Sequence, residues 1–184
     1  MALVRSDSIR RRAALNRVVK FDSSAGILAE SKKTISTSYD VFLSHSKMDA
    51  ELVHGAKVFL EEYGLTVYVD WIDSPEMDRA NVTPATAQVL RGIMSSSRML
   101  IYAHTENSGN SKWCPWELGY FDGKKDGNVF ILPIVDTDQN SFIGQEYLGL
   151  YPYIDQAGQS LFINKSNGII PHLREAKYKT FKRA

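Results

Sequence analysis

The segment with the clearest chemical potential is Trp113-Cys114-Pro115-Trp116-Glu117, in which a carboxylate lies beside two indole rings. Proline is favoured at the first position of a helix, so Pro115 predicts a helix start that places Glu117 near the third helical position. There the helix dipole stabilises the carboxylate anion. Indole surfaces act in the opposite direction by desolvating it, and they can also stack a flat heterocycle. The segment fits a catalytic carboxylate, and it also fits a glutamate that caps its helix beside two core tryptophans.

Alternating apolar patterns predict the elements that position this segment. Apolar runs rich in β-branched and aromatic residues predict strands, at 39–44, 65–70, 98–103 and 128–136. Helices are expected between them, at 46–63 after a Ser46–Asp49 capping box, at 84–96 after Thr83, and at 113–125. YPYID or SLFIN is expected to supply a fifth strand, and 170–181 a last helix. The predicted fold is therefore α/β, a flavodoxin-like, doubly wound parallel sheet of about five strands.

Charge divides the chain into two parts. Residues 1–38 hold eight Lys/Arg and three Asp/Glu, a net charge of +5, whereas residues 39–184 have a net charge of −4. We interpret residues 1–38 as a basic N-terminal arm and linker, with a weakly amphipathic helix over 7–20, and residues 39–184 as one domain. The arm is expected to be solvated or docked on the domain, although an Arg-rich targeting presequence has a similar composition.

The bulk properties exclude several partners and compartments. A slightly acidic main body argues against nucleic acid as a partner, because phosphate binding needs a basic face. No apolar run approaches the length of a membrane span, so a membrane partner is not expected. With a single cysteine, Cys114, no internal disulfide is possible, and a reducing, cytoplasmic location is expected.

One crevice is expected to collect the polar loops. Ligands of open α/β sheets bind beyond the carboxyl ends of the strands. That rule brings together residues 44–47, 70–82 and 104–113, with Glu117 at the rim. The sequence lacks a G-x-G-x-x-G fingerprint, a P-loop, a G-x-S-x-G elbow and H-E-x-x-H spacing, and one cysteine cannot build a thiolate metal site. We therefore expect no metal and no dehydrogenase-type nucleotide site.

Four motifs, in order, resemble Toll/interleukin-1 receptor (TIR) domains. They are Y-D-V-F-L-S-H-S at 39–46, V-Y-V-D-W at 67–71, W-C-P-W-E-L at 113–118 and F-I-L-P-I-V at 130–135. The match is good over residues 39–136 and loose over 137–184. W-E-L-G-Y-F-D-G and V-T-P-A-T-A are especially similar to stand-alone bacterial TIR proteins.

This resemblance implies an NAD glycohydrolase or ADP-ribosyl cyclase that cleaves the nicotinamide–ribose bond. NAD would be the substrate, with no separate cofactor, and Glu117 would be the catalytic residue. Residues that match the family's substrate pocket or lie beside it are Ser44, His45, Asp70, Trp71 and Trp113. For bacterial relatives the resemblance favours a cyclic or modified ADP-ribose signal in antiphage defence, sensed by a downstream effector.

The resemblance also implies self-association through TIR–TIR contacts, with the 71–82 loop of one subunit closing the site of another. Two other functions stay open. A non-enzymatic TIR adaptor would use the same fold without chemistry. A nucleoside deoxyribosyltransferase-like enzyme would use a glutamate at the anomeric carbon of a different substrate.

Overall fold

A computed structural model describes residues 2–22, 38–74, 83–125, 127–136, 138, 139, 141, 144–158, 160–165 and 168–170. Within these residues the strands are β1 (Val4–Arg5), β2 (Tyr39–Ser44), β3 (Val67–Tyr68), β4 (Ser97–His104), β5 (Val129–Val135), β6 (Tyr153–Ala157), β7 (Ser160–Lys165) and β8 (Gly168–Ile170). The helices are α1 (Ser6–Asp22), α2 (Ala50–Glu62), α3 (Asp70–Asp73), α4 (Pro84–Ser96) and α5 (Trp113–Lys124). Three 3₁₀ turns lie at Lys47–Asp49, Ser108–Asn110 and Glu146–Leu150.

The central sheet confirms the predicted fold class. Its strands lie in the order β3-β2-β4-β5-β6-β7-β8, and the first five of these are parallel. The chain order reverses between β2 and β4, which makes this the topological switch point where α/β folds bind ligands. Beyond the five predicted strands, β7 and β8 extend the edge by antiparallel pairing, so YPYID and SLFIN both become strands.

Two apolar layers cover the two faces of the sheet because strand residues alternate in direction. On one face, Val41 and Leu43 of β2 pack with the apolar side of α2. On the other face, Phe42 packs with α4 and α5. Local sequence defines α4 well, since Thr83 and Thr86 form a reciprocal capping box and Pro84 occupies the first turn. Ser44 continues the side of β2 that faces α5, which is the basis of the site below.

Residues 2–17 are packed against the sheet and α2. Strand β1 pairs in parallel with the carboxyl end of β5, and Ala2 forms an antiparallel bridge with Gln156 of β6. The segment thus fills the space where β5 and β6 separate. Helix α1 then crosses α2, where Ile9 and Ala13 are fully buried. The predicted helix over 7–20 is confirmed, and the docked alternative for the arm is the one observed.

Local structure departs from the sequence prediction at three places near the site. Strand β3 covers only Val67–Tyr68, and Asp70 already begins the single turn of α3. Ser46 accepts a hydrogen bond from the Met48 amide and so begins a 3₁₀ turn, whereas Asp49 makes no capping bond to α2. The predicted Ser46–Asp49 capping box is therefore wrong.

Helix α5 also begins earlier than predicted. Its first residue is Trp113, so Pro115 is the third helical residue and Glu117 the fifth. The predicted placement of Glu117 in the first turn is wrong, and the dipole argument weakens because its influence is confined to that turn. The linker before Ser38, residues 75–82 and most of the predicted helix over 170–181 lie outside the described residues. In the described part of the chain, no helix is both long and apolar enough to cross a membrane.

Candidate functional site

The centre of the candidate site is a buried carboxylate at the carboxyl end of β2. Ser44, the last residue of β2, donates a hydrogen bond from its hydroxyl to Oε2 of Glu117 over 2.6 Å. Both residues have 0% exposed surface. Burying a charge without a partner is costly, so this short bond helps to fix the carboxylate in one position. Glu117 was predicted at the rim of the crevice; it lies at the carboxyl end of β2 as expected, but its side chain is fully buried and does not face an open rim.

A second buried pair lies next to the first along the chain. His45 contacts Asp70, the first residue of α3, with 3.2 Å between Nε2 and Oδ1. The other ring nitrogen, Nδ1, lies 2.8 Å from the carbonyl oxygen of Leu43. A carbonyl can only accept, so Nδ1 carries a hydrogen, and the contact with Asp70 is an ion pair whenever the ring is protonated. The pair holds the end of β3 against the end of β2.

The two predicted tryptophans have different surroundings. Trp113 lies four residues before Glu117 on α5, is partly buried, and meets Trp116 edge to face with ring centroids 5.3 Å apart. Trp71 lies on α3 and is 37% exposed. Within the described residues, Trp71 forms no hydrogen bond, ion pair or ring contact with Ser44, His45 or Glu117. The structure therefore brings four of the predicted residues together in two contacting pairs, and places Trp113 on the same helix as Glu117.

Asp49 is part of the same edge, although the sequence argument assigned it only to a helix cap. It is 7% exposed and accepts hydrogen bonds from the Thr105 hydroxyl at 2.5 Å and the Asn107 amide at 2.8 Å. Thr105 and Asn107 follow β4, so the contact spans the switch point between β2 and β4. The only signal in the sequence was an acidic residue at a helix start, which local capping explains equally well.

A cavity of about 720 Å³ opens at the carboxyl ends of β4 and β5. Its lining includes His104, Thr105 and Glu106 on one side and Gln139 and Gln145 on the other. Glu117 and Ser44 are not among the lining residues. Residues 105–112 connect the two features, because Thr105, Glu106 and Gly109 line the cavity and the segment leads directly into α5.

The arm contacts a segment that borders this cavity. Arg5 donates hydrogen bonds to the carbonyl oxygens of Asp136, over 2.8 Å, and of Gln139, and the Ser6 hydroxyl donates to Oδ1 of Asp136 over 2.5 Å. These contacts fasten the segment after β5 from which Gln139 reaches the cavity. Among the described residues, no cluster of three or more His, Cys, Asp or Glu side chains could hold a metal ion.

Comparison with known proteins agrees with the family that the motifs resemble. A family model described as "TIR domain" matches residues 41–165. The chain therefore belongs to the TIR domain family. The matched region holds most of β2, all of β3 to β7 and all of the residues in the two buried pairs, but it leaves out the docked arm.

Two curated relatives are similar over parts of the chain. "Probable 3' cyclic ADP-D-ribose synthase ThsB'" of Bacillus cereus (strain MSX-D12) is 51% identical over 117 residues, which cover 63% of this chain and 60% of the relative. "Putative cyclic ADP-D-ribose synthase TIR2" of Cytobacillus dafuensis is 32% identical over 83 residues, covering 45% of this chain and 22% of that protein. The match thus spans less than two thirds of each relative's length.

Proposed function

We propose that this TIR domain cleaves the nicotinamide–ribose bond of NAD, with Glu117 as the catalytic carboxylate, and joins the freed ribose carbon to an acceptor in the same molecule. The observation that carries the proposal is the buried contact between Ser44 and Glu117 at the carboxyl end of β2. Support also comes from the family and from two relatives whose names describe cyclic ADP-D-ribose synthases.

One carboxylate is enough for this reaction. Nicotinamide in NAD is a cationic pyridinium, so the pair of electrons in the broken bond neutralises its ring nitrogen and no general acid is needed. An ordinary glycosidase differs, because its leaving oxygen must be protonated and two carboxyl groups divide the work. Positive charge then develops on the ribose. A fixed carboxylate in a site emptied of water stabilises that charge more in the transition state than in the bound substrate.

Ser44 holds the carboxylate ready before substrate arrives. Its hydroxyl donates a hydrogen bond to Glu117, and ribose hydroxyls can offer the same type of bond. Because Glu117 is fully buried, the surrounding segments must rearrange before a ribose can reach it. We assign the remaining predicted residues, His45, Asp70, Trp71 and Trp113, to the substrate side of this opened site.

The acceptor determines the product. Attack by a ribose hydroxyl of the same molecule on the anomeric carbon forms a cyclic ADP-ribose, and the hydroxyl proton is released to solvent. Attack by water gives linear ADP-ribose instead. The relatives' names favour the cyclic product. We further propose that this product is a signal in antiviral defence, sensed by a separate effector.

Replacement of Glu117 with glutamine tests the proposal. Glutamine has the same shape, and its carbonyl can still accept the Ser44 hydrogen bond, so the fold should be retained. Loss of the negative charge should lower the rate of nicotinamide release from NAD at least about a hundredfold. Release is measured by chromatography, and mass spectrometry of the remaining nucleotide identifies the acceptor.

The matched control is Glu146→Gln, which makes the same chemical change at an exposed residue of a 3₁₀ turn. It should behave like the wild type. Nicotinamide release by Glu117→Gln at the wild-type rate would contradict the assignment. A wild type that binds other TIR domains without consuming NAD would indicate an adaptor, and one that consumes free deoxynucleosides in preference to NAD would indicate a deoxyribosyltransferase.

Assembly offers a second test of the same proposal. If TIR–TIR contacts complete or open the site, mass action makes the active fraction depend on protein concentration. Specific activity should then rise with enzyme concentration and level off when assembly is complete. Sedimentation at the same concentrations should show larger species over the same range. Constant specific activity across that range would show that a single chain is sufficient.

A further inference from the structure

The carboxylate of Asp49 has an unusual use for its position in the fold. Asp49 is the residue immediately before α2, where an aspartate ordinarily accepts a hydrogen bond from an amide of the first helical turn. Asp49 makes no such bond. Its two oxygens instead accept from Thr105, over 2.5 Å, and Asn107, over 2.8 Å, across the switch point. The carboxylate therefore joins the loops after β2 and β4 and does not cap α2.

The loop held by Asp49 is itself tightly connected. The Thr105 hydroxyl accepts from the Ser108 amide over 3.1 Å, and the Ser108 hydroxyl donates to the Thr105 carbonyl over 2.8 Å. Tyr102 donates to the Ser108 carbonyl over 3.3 Å. Burial raises the pKa of Tyr102, so its hydroxyl stays protonated and remains a donor at neutral pH. Asp49 thus holds a compact turn as a unit.

This turn leads directly into the helix that carries the candidate catalytic residue. Ser111 accepts a hydrogen bond from the Cys114 amide over 3.2 Å, at the beginning of α5. Glu117 lies one turn further and contacts Ser44, which is five residues before Asp49. Two cross-contacts therefore join the same two segments, one through Ser44 and Glu117 and the other through Asp49 and Thr105. A displacement of the turn would move the start of α5.

We propose that Asp49 is a positioning residue for the reaction, which holds the turn at 105–110 so that α5 presents Glu117 to the end of β2. This inference rests on the proposed function, because it assigns Asp49 a role in the same chemistry. Asp49 acts through Thr105 and α5. Misplacing a reacting group by about 1 Å can cost about a hundredfold in rate, so a small shift of α5 is enough to matter.

Three variants test the proposal in the full chain. Asp49→Ala removes both cross-loop bonds, and kcat for nicotinamide release should fall by about tenfold to a hundredfold, with a smaller change in KM. Asp49→Asn should keep most of the wild-type rate. The oxygen of the new asparagine can accept from Asn107, and its amide nitrogen can donate to the Thr105 hydroxyl. Thr105→Val removes the hydroxyl while conserving shape, and should lower kcat in the same way.

A double-mutant cycle and a matched control separate positioning from stability. If Asp49 and Thr105 act through each other, Asp49→Ala combined with Thr105→Val should be little worse than either change alone. The control is Asp122→Ala, which removes a 3.0 Å hydrogen bond from Tyr151 near the other end of α5. It should lower the melting temperature and leave kcat unchanged.

The outcomes distinguish the two proposals. Wild-type kcat in Asp49→Ala, with Glu117→Gln inactive, would overturn the positioning role and leave the proposed function intact. Equal losses in Asp49→Ala, Asp49→Asn and Asp122→Ala would also overturn it, because the effect would then follow stability alone. A wild type that releases no nicotinamide would overturn both proposals. Loss of kcat in Asp49→Ala with recovery in Asp49→Asn supports the positioning role.

Discussion

The carboxyl edge of the sheet and the docked arm are held in place by different physical means. At the edge, buried polar groups pair with one another, as Glu117 does with Ser44 and Asp49 with Thr105. The arm depends on apolar burial and close backbone approach, with Ile9 buried in the cluster formed by the sheet and α2. Its polar contacts with α2 lie mostly at the surface, where Arg10 pairs with Glu51.

This difference separates the contacts that fix the geometry of the edge from the contacts that stabilise the fold. A buried hydrogen-bonded network contributes little net free energy, yet loss of one partner leaves a costly unpaired group, so it fixes geometry. Apolar burial is less directional and contributes in proportion to area. Exposed ion pairs such as Arg10–Glu51 contribute about 0–1 kcal/mol. We therefore expect changes in the arm to alter stability and changes at the edge to alter the chemistry.

Ile9→Ala should produce a large loss of stability while leaving the edge intact. The side chain is fully buried, and truncation of a buried isoleucine to alanine costs about 2–5 kcal/mol through lost burial and the cavity left behind. The free energy of unfolding, measured by urea denaturation, should fall by that amount. Nicotinamide release per folded molecule, measured well below the melting temperature, should stay at the wild-type rate.

Leu15→Ala is the matched control on the same helix, because Leu15 is 67% exposed. It should change the free energy of unfolding by less than about 0.5 kcal/mol. If Ile9→Ala proved equally harmless, the arm would not be docked as the structure shows. If Ile9→Ala abolished NAD cleavage while folded, the separation between arm and edge would be wrong.

The sequence predicted the parallel sheet well because its strands carry strong local signals. The runs that became β2, β4 and β5 are mainly apolar, and Thr83–Pro84 sets the start of α4 through local hydrogen bonding and backbone geometry. Residues such as Ser44 and Glu117 could be assigned to one edge, because parallel strands end together. Their direct contact follows from the side of β2 that Ser44 occupies.

Other features depend on contacts between distant residues, which local patterns do not encode. Asp49 resembles a helix cap in sequence, and only the position of Thr105 across the switch point diverts its carboxylate. Helix α5 begins at Trp113, where the Ser111 hydroxyl accepts a hydrogen bond from the Cys114 amide, so Pro115 does not mark the first position. The docking of the arm depends on the shape of α2. The weak apolar side of the predicted helix included Ile9 and Ala13, which are buried, but also Leu15, which is 67% exposed, so it defined the docked side only in part.

The last prediction concerns the point where α1 crosses α2, and its expected effect on stability is smaller than that of Ile9→Ala. A Cβ atom added at Gly55 would lie 2.1 Å from the backbone oxygen of Ile9 and 2.8 Å from its carbonyl carbon. Backbone cannot move away as a flexible side chain can, so Gly55→Ala should cost about 1–3 kcal/mol in the free energy of unfolding despite the better helix propensity of alanine.

The control is Gly92, in the middle of α4, where an added Cβ meets nothing within 4 Å. Gly92→Ala should stabilise the protein by up to about 1 kcal/mol. The two substitutions are chemically identical, so opposite signs in urea denaturation would locate the cost at the contact between α1 and α2. Equal stabilisation by both would mean that the arm does not approach α2 this closely, and apolar burial would then have to hold it without the close backbone contact.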